Sequence, residues 1–196
     1  MVVSDARLAS DAGVEILKSG GNAVDAAVAV GFALAVVYPE AGNLGGGGFT
    51  VVRMADGRVA AVDYRETAPQ GATRDMFVSD TGTPRQSVVG PLASGVPGSV
   101  AGLAATHQRF GSIPLARVMA PAIRLAEQGF VVDSGLAASI VRHARLIARF
   151  AGAEVFLPSG KPLAAGTTLK LPALARTLRA IADSGAAAFY SGQLSR

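Results

Sequence analysis

Residues 20–49 read GGNAVDAAVAVGFALAVVYPEAGNLGGGGF, and the fold follows from how this stretch is divided. Gly20 and Gly21 end a preceding helix, as glycines do where the chain must turn through positive φ. Asn22 then stands where an N-cap belongs, with Asp25 able to face the donors of the first turn. The helix that follows, over 23–37, is apolar on every side, which marks it as buried in a globular core. Its alanines and Gly31 let neighbouring backbones come close, and Pro39 stops it. Gly42, Asn43 and Leu44 lead into four consecutive glycines, Gly45 to Gly48.

Upstream, Leu8, Ala12, Ile16 and Leu17 form an apolar stripe at helical spacing. Downstream, residues 49–54 and 58–64 are apolar and β-branched, and Ala55-Asp56-Gly57 supplies a turn between them: a β-hairpin is predicted. Residues 65–98, punctuated by Pro69, Pro84, Pro91 and Pro97, read as loop, with 74–78 the one short candidate for regular structure. The second half is helical. Helices are predicted over 99–110, from Ser112 or Pro114 to Gln128 with an interruption or kink at Pro121, from a cap at Asp133 or Ser134 to about Phe150, and from Pro172 to about Asp183. Residues 161–171 read as loop with a short strand. No internal repeat or low-complexity linker divides the chain, so residues 1–196 are expected to form a single α+β domain.

Composition excludes several classes. Of 196 residues, 50% are apolar and 16% charged, with 38 Ala and 24 Gly; a disordered chain carries more charge and less apolar surface. The glycines follow no G-X-Y period, so collagen is excluded. The longest apolar run, 23–38, contains Asp25 and falls short of the ~20 residues of a membrane span. No charged segment followed by an apolar one opens the chain, so no signal peptide is expected within it. Without Cys there is no disulfide, thiolate metal site or Cys nucleophile. His107 and His143 have no H-x-x-x-H partner, so no metal site is expected, and no motif calls for a cofactor. Residues 1–98 carry a net charge of −3 and residues 99–196 one of +7. The arginines of the second half lie at helical spacing without interleaved aromatics, which describes a solvated face and not a nucleic-acid surface.

Some residues invite chemical readings. Gly45 to Gly48 could expose N–H groups to a phosphate, but nucleotide loops follow a strand and open a helix, and this one does the reverse. Tight backbone packing in or beside a site fits better. Arg142, Arg145 and Arg149 share one helix face, which solvation explains. Ser94, Ser99 and the two histidines make no triad, since no G-x-S-x-G elbow or orienting Asp accompanies them. Arg65 ends the second hairpin strand, before a loop, where sites are commonly built. Its planar fork suits a carboxylate. It could equally pair with Asp63 or Glu66.

Taken in order, the motifs resemble one family. They are Gly20-Gly21-Asn22-Ala23-Val24-Asp25-Ala26-Ala27, Gly42-Asn43-Leu44-Gly45-Gly46-Gly47-Gly48-Phe49, Asp63-Tyr64-Arg65-Glu66-Thr67-Ala68-Pro69, Ala72-Thr73-Arg74-Asp75-Met76-Phe77, Gly95-Val96-Pro97-Gly98-Ser99-Val100-Ala101-Gly102 and Leu171-Pro172-Ala173-Leu174-Ala175-Arg176-Thr177-Leu178. Together they resemble the N-terminal part of the large subunit of the γ-glutamyltranspeptidases. The resemblance implies an N-terminal-nucleophile hydrolase of αββα sandwich fold, of which this chain holds only the first portion. It implies a precursor that cuts itself into two subunits, and a small-subunit Thr that attacks γ-glutamyl amides such as glutathione and passes the acyl group to water, amino acids or peptides. The partners implied are glutathione or other γ-glutamyl compounds, the remainder of the large subunit and the small subunit, in a periplasmic or secreted setting. Thr167-Thr168 is followed by Leu169-Lys170 and does not match the family's nucleophile, so no catalytic residue is carried onto this chain. One binding residue is: Arg65 matches the Arg that holds the α-carboxylate of the γ-glutamyl group. The rivals are a cephalosporin-type acylase of the same superfamily and a non-catalytic remnant that keeps the Arg65 pocket.

Overall fold

In the computed structural model, residues 1–79, 81, 85–192 and 194 are described; Pro84 lies outside them. The core is built around the apolar helix. Helix α2 (Ala23–Val37) buries Val28, Phe32 and Val36 completely, between α1 (Arg7–Lys18), α3 (Ser99–Phe110) and α4 (Leu115–Gln128). Its start is a capping box: Asn22 Oδ1 accepts the N–H groups of Val24 at 2.8 Å and Asp25 at 3.0 Å, and the Asn22 N–H donates to Asp25 Oδ2 at 2.8 Å.

The face α1 turns to α2 keeps Ala12 and Ile16 of the expected stripe but not its leucines. Ala9, Ala12, Gly13 and Ile16 are buried, whereas Leu8 and Leu17 lie at the surface. The two helices are too close for leucines between them: a Cβ on Gly13 would stand 2.7 Å from Val30 Cγ2. Small residues therefore win the contact over larger apolar ones.

Helix α4 buries Val118, Met119, Ala122, Ile123 and Ala126, and runs as one helix through the buried Pro121. Packing on both sides outweighs the hydrogen bond that Pro121 cannot make, roughly 3 kcal/mol for an interior proline. Helix α7 (Pro172–Ser184) lies along α4, sinking Ala175, Leu178 and Ile181 into the core, with Arg179 forked onto Glu127 outside.

The hairpin forms as read. Strands β1 (Phe49–Arg53) and β2 (Val59–Asp63) pair antiparallel with Phe49 opposite Asp63 and Arg53 opposite Val59. Gly57, at φ 88°, makes the turn that a side chain would strain. One face is turned inward through Val52; on the other, Phe49, Val51 and Val59 are 63%, 75% and 67% exposed.

A second, two-residue ladder joins β3 (Phe130–Val131) to β4 (Thr168–Leu169). The short strand expected in 161–171 is present; its partner β3 is too brief to carry a period. Helix α5 (Ser134–Ile147) is capped by Asp133, whose carboxylate accepts the Leu136 N–H at 2.8 Å, and it stops short of Phe150. Two four-residue helices were not foreseen, α6 (Ala153–Phe156) and α8 (Ala187–Tyr190), and residues 74–78 form turns. The fold is α+β. No helix of the described residues is long and apolar enough to cross a membrane.

Candidate functional site

The glycine run and the end of β2 form one unit. The ladder continues past the strands, with the Gly48 N–H donating to the Tyr64 carbonyl at 3.3 Å and the Tyr64 N–H to the Gly48 carbonyl at 3.0 Å. The carbonyl of Gly46 accepts the N–H groups of Gly98 at 2.8 Å and Ser99 at 2.9 Å, which fastens the first turn of α3 to the glycine strand. Side chains are excluded by proximity. A Cβ on Gly47 would stand 2.5 Å from the Tyr64 oxygen and 2.8 Å from Arg65 Cα, and one on Gly98 would overlap the Tyr64 carbonyl. The glycines are thus packed directly on the backbone of Tyr64 and Arg65, in a helix–loop–strand context unlike a nucleotide loop.

Arg65 leaves this unit toward solvent. Its N–H donates to Asp63 Oδ1 at 3.0 Å, and its guanidinium carbon lies 5.9 Å from the centroid of the Phe49 ring. Among the described residues the guanidinium forms no salt bridge, with Asp63, Glu66 or any other carboxylate. Asp63 is occupied with the backbone instead. The loop that follows returns to the same place, because Thr67 and Val96 exchange backbone hydrogen bonds of 3.2 and 2.8 Å. Beside the unit, a cleft of about 590 Å³ lies between α2, the hairpin and α3, with Val28, Leu34, Val52, Tyr64 and Leu103 among its lining residues.

The remaining candidates are accounted for structurally. His107 Nε2 lies 2.7 Å from the Ile113 carbonyl and 3.4 Å from Asp25, and His143 Nδ1 lies 2.9 Å from the Ser139 carbonyl. Neither is hydrogen-bonded to Ser94 or Ser99 among the described residues. Asp25 is fully buried. Burial pushes its carboxyl up, but hydrogen bonds from the Ser112 hydroxyl and from the Asn22 and Ser112 N–H groups, with attraction from His107, outweigh this and hold it below its ordinary value. This cluster ties the start of α2 to the turn between α3 and α4. Thr168 lies in β4 opposite Val131, and the Thr167 carbonyl accepts the Val132 N–H at 2.8 Å. Arg142 reaches Glu40 at 3.9 Å, and Arg145 and Arg149 are exposed on α5 and in the turn after it. Sequence reasoning did not single out Tyr64, Gly98 or Gly102 as site-building residues. They lay inside quoted motifs, but no spacing rule places Gly98 and Gly102 against Tyr64.

The architecture is that of the N-terminal portion of an N-terminal-nucleophile hydrolase. Residues 9–196 match the family model for gamma-glutamyltranspeptidase. The chain is 46% identical over 198 residues to the glutathione hydrolase proenzyme of Escherichia coli K12, covering 99% of this chain and 34% of that protein. It is 45% identical over 205 residues to the acylase ACY 1 proenzyme of Pseudomonas sp. strain SE83, covering 100% of this chain and 37% of that one. The crystal structure of Helicobacter pylori gamma-glutamyltranspeptidase superposes with a TM-score of 0.94 at 40% identity, over 99% of this chain and 57% of the other. A cephalosporin acylase from Bacillus halodurans gives 0.86 at 31%, over 95% of this chain and 36% of the other. The chain belongs to the gamma-glutamyltranspeptidase family. It spans about a third of the length of the curated relatives it matches.

Proposed function

We propose that this chain is the N-terminal part of the large subunit of a γ-glutamyltransferase that also acts as a glutathione hydrolase, and that Arg65 holds the α-carboxylate of the donor. The observation that carries the reading is the state of Arg65: an exposed guanidinium, uncommitted to any carboxylate among the described residues, on a backbone held by Gly47 and Asp63. A free planar fork on a rigid support suits two parallel charge-assisted hydrogen bonds to a carboxylate. The reaction itself needs a nucleophile that this chain does not supply. The hydroxyl oxygen of a small-subunit Thr attacks the γ-carbonyl carbon, its proton passes to the leaving amine, and the ester formed is then cleaved by water or by an acceptor amine. Partners are therefore a γ-glutamyl compound, the rest of the large subunit and the small subunit.

The test is donor selectivity in the complete protein to which this segment belongs. γ-Glutamyl p-nitroanilide should be turned over, and the same anilide without the α-carboxylate should be a far poorer donor. No turnover of either by the processed protein leaves the non-catalytic remnant.

The 45% identity to an acylase over the whole chain favours a second reading, a cephalosporin-type acylase. It predicts that a cephalosporin amide is the better donor and that the α-carboxylate adds little.

A further inference from the structure

Tyr64 is held at more points than a strand-end aromatic needs. Its N–H and its carbonyl are both paired with Gly48. Its hydroxyl lies 3.0 Å from Thr50 Oγ1 on the facing strand. Its ring fills a notch between the glycine strand and the first turns of α3: a Cβ on Gly102 would overlap Tyr64 Cγ, and one on Gly48 would stand 3.0 Å from Cε2. Successive side chains of an extended segment point to opposite faces, so a ring seated toward α3 sends the side chain of the next residue outward. That next residue is Arg65.

We infer that Tyr64 is a positioning residue for donor recognition, its ring in the Gly48–Gly102 notch fixing where the Arg65 guanidinium stands. This rests on the reading of Arg65 as the carboxylate clamp. Bidentate recognition depends on the origin and direction of the fork, and a displacement of about 1 Å can cost on the order of 100-fold. The Tyr64 backbone is paired on both sides with Gly48, and Gly47 and Gly98 pack on the Tyr64–Arg65 peptide, so the ring in its notch and Arg65 Cα belong to one closely packed segment. The Thr50 hydroxyl adds a second anchor at the tip of the ring, beside Gly48, that limits its tilt in the notch. Gly102 leaves room on α3 for the ring.

The experiment compares Tyr64→Leu, Tyr64→Phe and Gly102→Ala in the complete protein, each on a γ-glutamyl anilide and on the matching anilide without the α-carboxylate. Arg65→Lys is run alongside. Tyr64→Leu and Gly102→Ala should raise KM for the carboxylated donor by about 10- to 100-fold while kcat stays within about threefold, since binding of the carboxylate and not the chemical step is disturbed. The other donor should change by less than about threefold, and Tyr64→Phe, which keeps the ring in its notch, should lose less than about fivefold. Equal losses on both donors, or an unchanged KM in Tyr64→Leu, would overturn the inference. So would failure of both Tyr64→Leu and Gly102→Ala to fold, because the ring would then serve the fold alone. A loss in Arg65→Lys that does not discriminate between donors sinks the clamp reading itself, and it is read independently of Tyr64.

Discussion

Asp25 and Ser112, 87 residues apart, are joined through the serine hydroxyl at 2.6 Å and through its N–H, which lies 3.1 Å from both carboxylate oxygens. The same carboxylate closes the capping box of α2. One buried side chain thus begins the central helix and anchors the α3–α4 turn on it. Local helix chemistry and long-range packing meet at that atom group.

Replacing Asp25 with Ala leaves the Ser112 N–H and hydroxyl without their acceptor and takes from the Asn22 N–H the shorter of its two contacts, the other being Ser112 Oγ at 3.2 Å. Hydrogen bonds to a charged acceptor are worth about 1.5–3 kcal/mol each, and the donors, on half-buried Asn22 and exposed Ser112, recover part of this from water, so a loss of about 2–4 kcal/mol is expected. Urea unfolding at neutral pH measures it. Ser112→Ala, which keeps the two N–H contacts, should lose about 1–2 kcal/mol.

Acid should act through the same group. The folded carboxyl titrates below its ordinary value of 3.8, so its contribution to stability is present above that value and is lost as pH falls through the lower folded value. Between about pH 5 and pH 2 the wild type should lose more stability than Asp25→Asn, which has no such proton to gain. Parallel pH profiles for the two would show that other carboxylates carry the acid sensitivity.

Arg65 variants should discriminate between donors. Losing one partner of a desolvated charge pair costs about 2–5 kcal/mol, or roughly 30-fold to several thousandfold in kcat/KM. Arg65→Lys keeps the charge and loses the fork, and Arg65→Met loses both. Both should fall in this range on γ-glutamyl donors and much less on an anilide without the α-carboxylate. Self-cleavage of the precursor, followed by gel electrophoresis, should proceed in both variants.

Thr167 and Thr168 should be dispensable for chemistry. Thr168 lies in β4 opposite Val131, and the Thr167 carbonyl accepts the Val132 N–H just beyond the ladder. Thr167→Ala and Thr168→Ala in the complete protein should keep kcat within about twofold, as exposed or edge positions usually allow. The 196-residue polypeptide by itself should release no p-nitroaniline. Turnover by that polypeptide, abolished in either variant, would reassign the nucleophile.

The outer hairpin face carries Phe49, Val51 and Val59, all well exposed. Expressed as the 196-residue polypeptide, such a face with open strand edges should drive self-association. Sedimentation velocity should show species larger than monomer, reduced by Val51→Lys. A clean monomer with a cooperative melt would mean that the face is tolerated in water.

The sequence by itself determined the elements whose signals are local. The α2 cap at Asn22, the all-apolar helix, the hairpin with Gly57 in its turn and the cap at Asp133 each depend on residues within a few positions of one another, and each formed where it was read. Arg65 was legible as a strand-end residue, and its likeness to a family was carried by contiguous motifs. Tertiary structure decided what depends on approach between distant segments. Which face of α1 is buried was set by the closeness of Gly13 to Val30, not by the Leu8 and Leu17 pattern. Pro121 stayed within one helix because the core on both sides of α4 outweighs a missing hydrogen bond. The two-residue strand β3 exists only because β4 lies beside it. That Arg65 has no carboxylate partner among the described residues, and that Tyr64 is seated against Gly102, depends on how distant segments pack, and linear spacing carries no record of that packing.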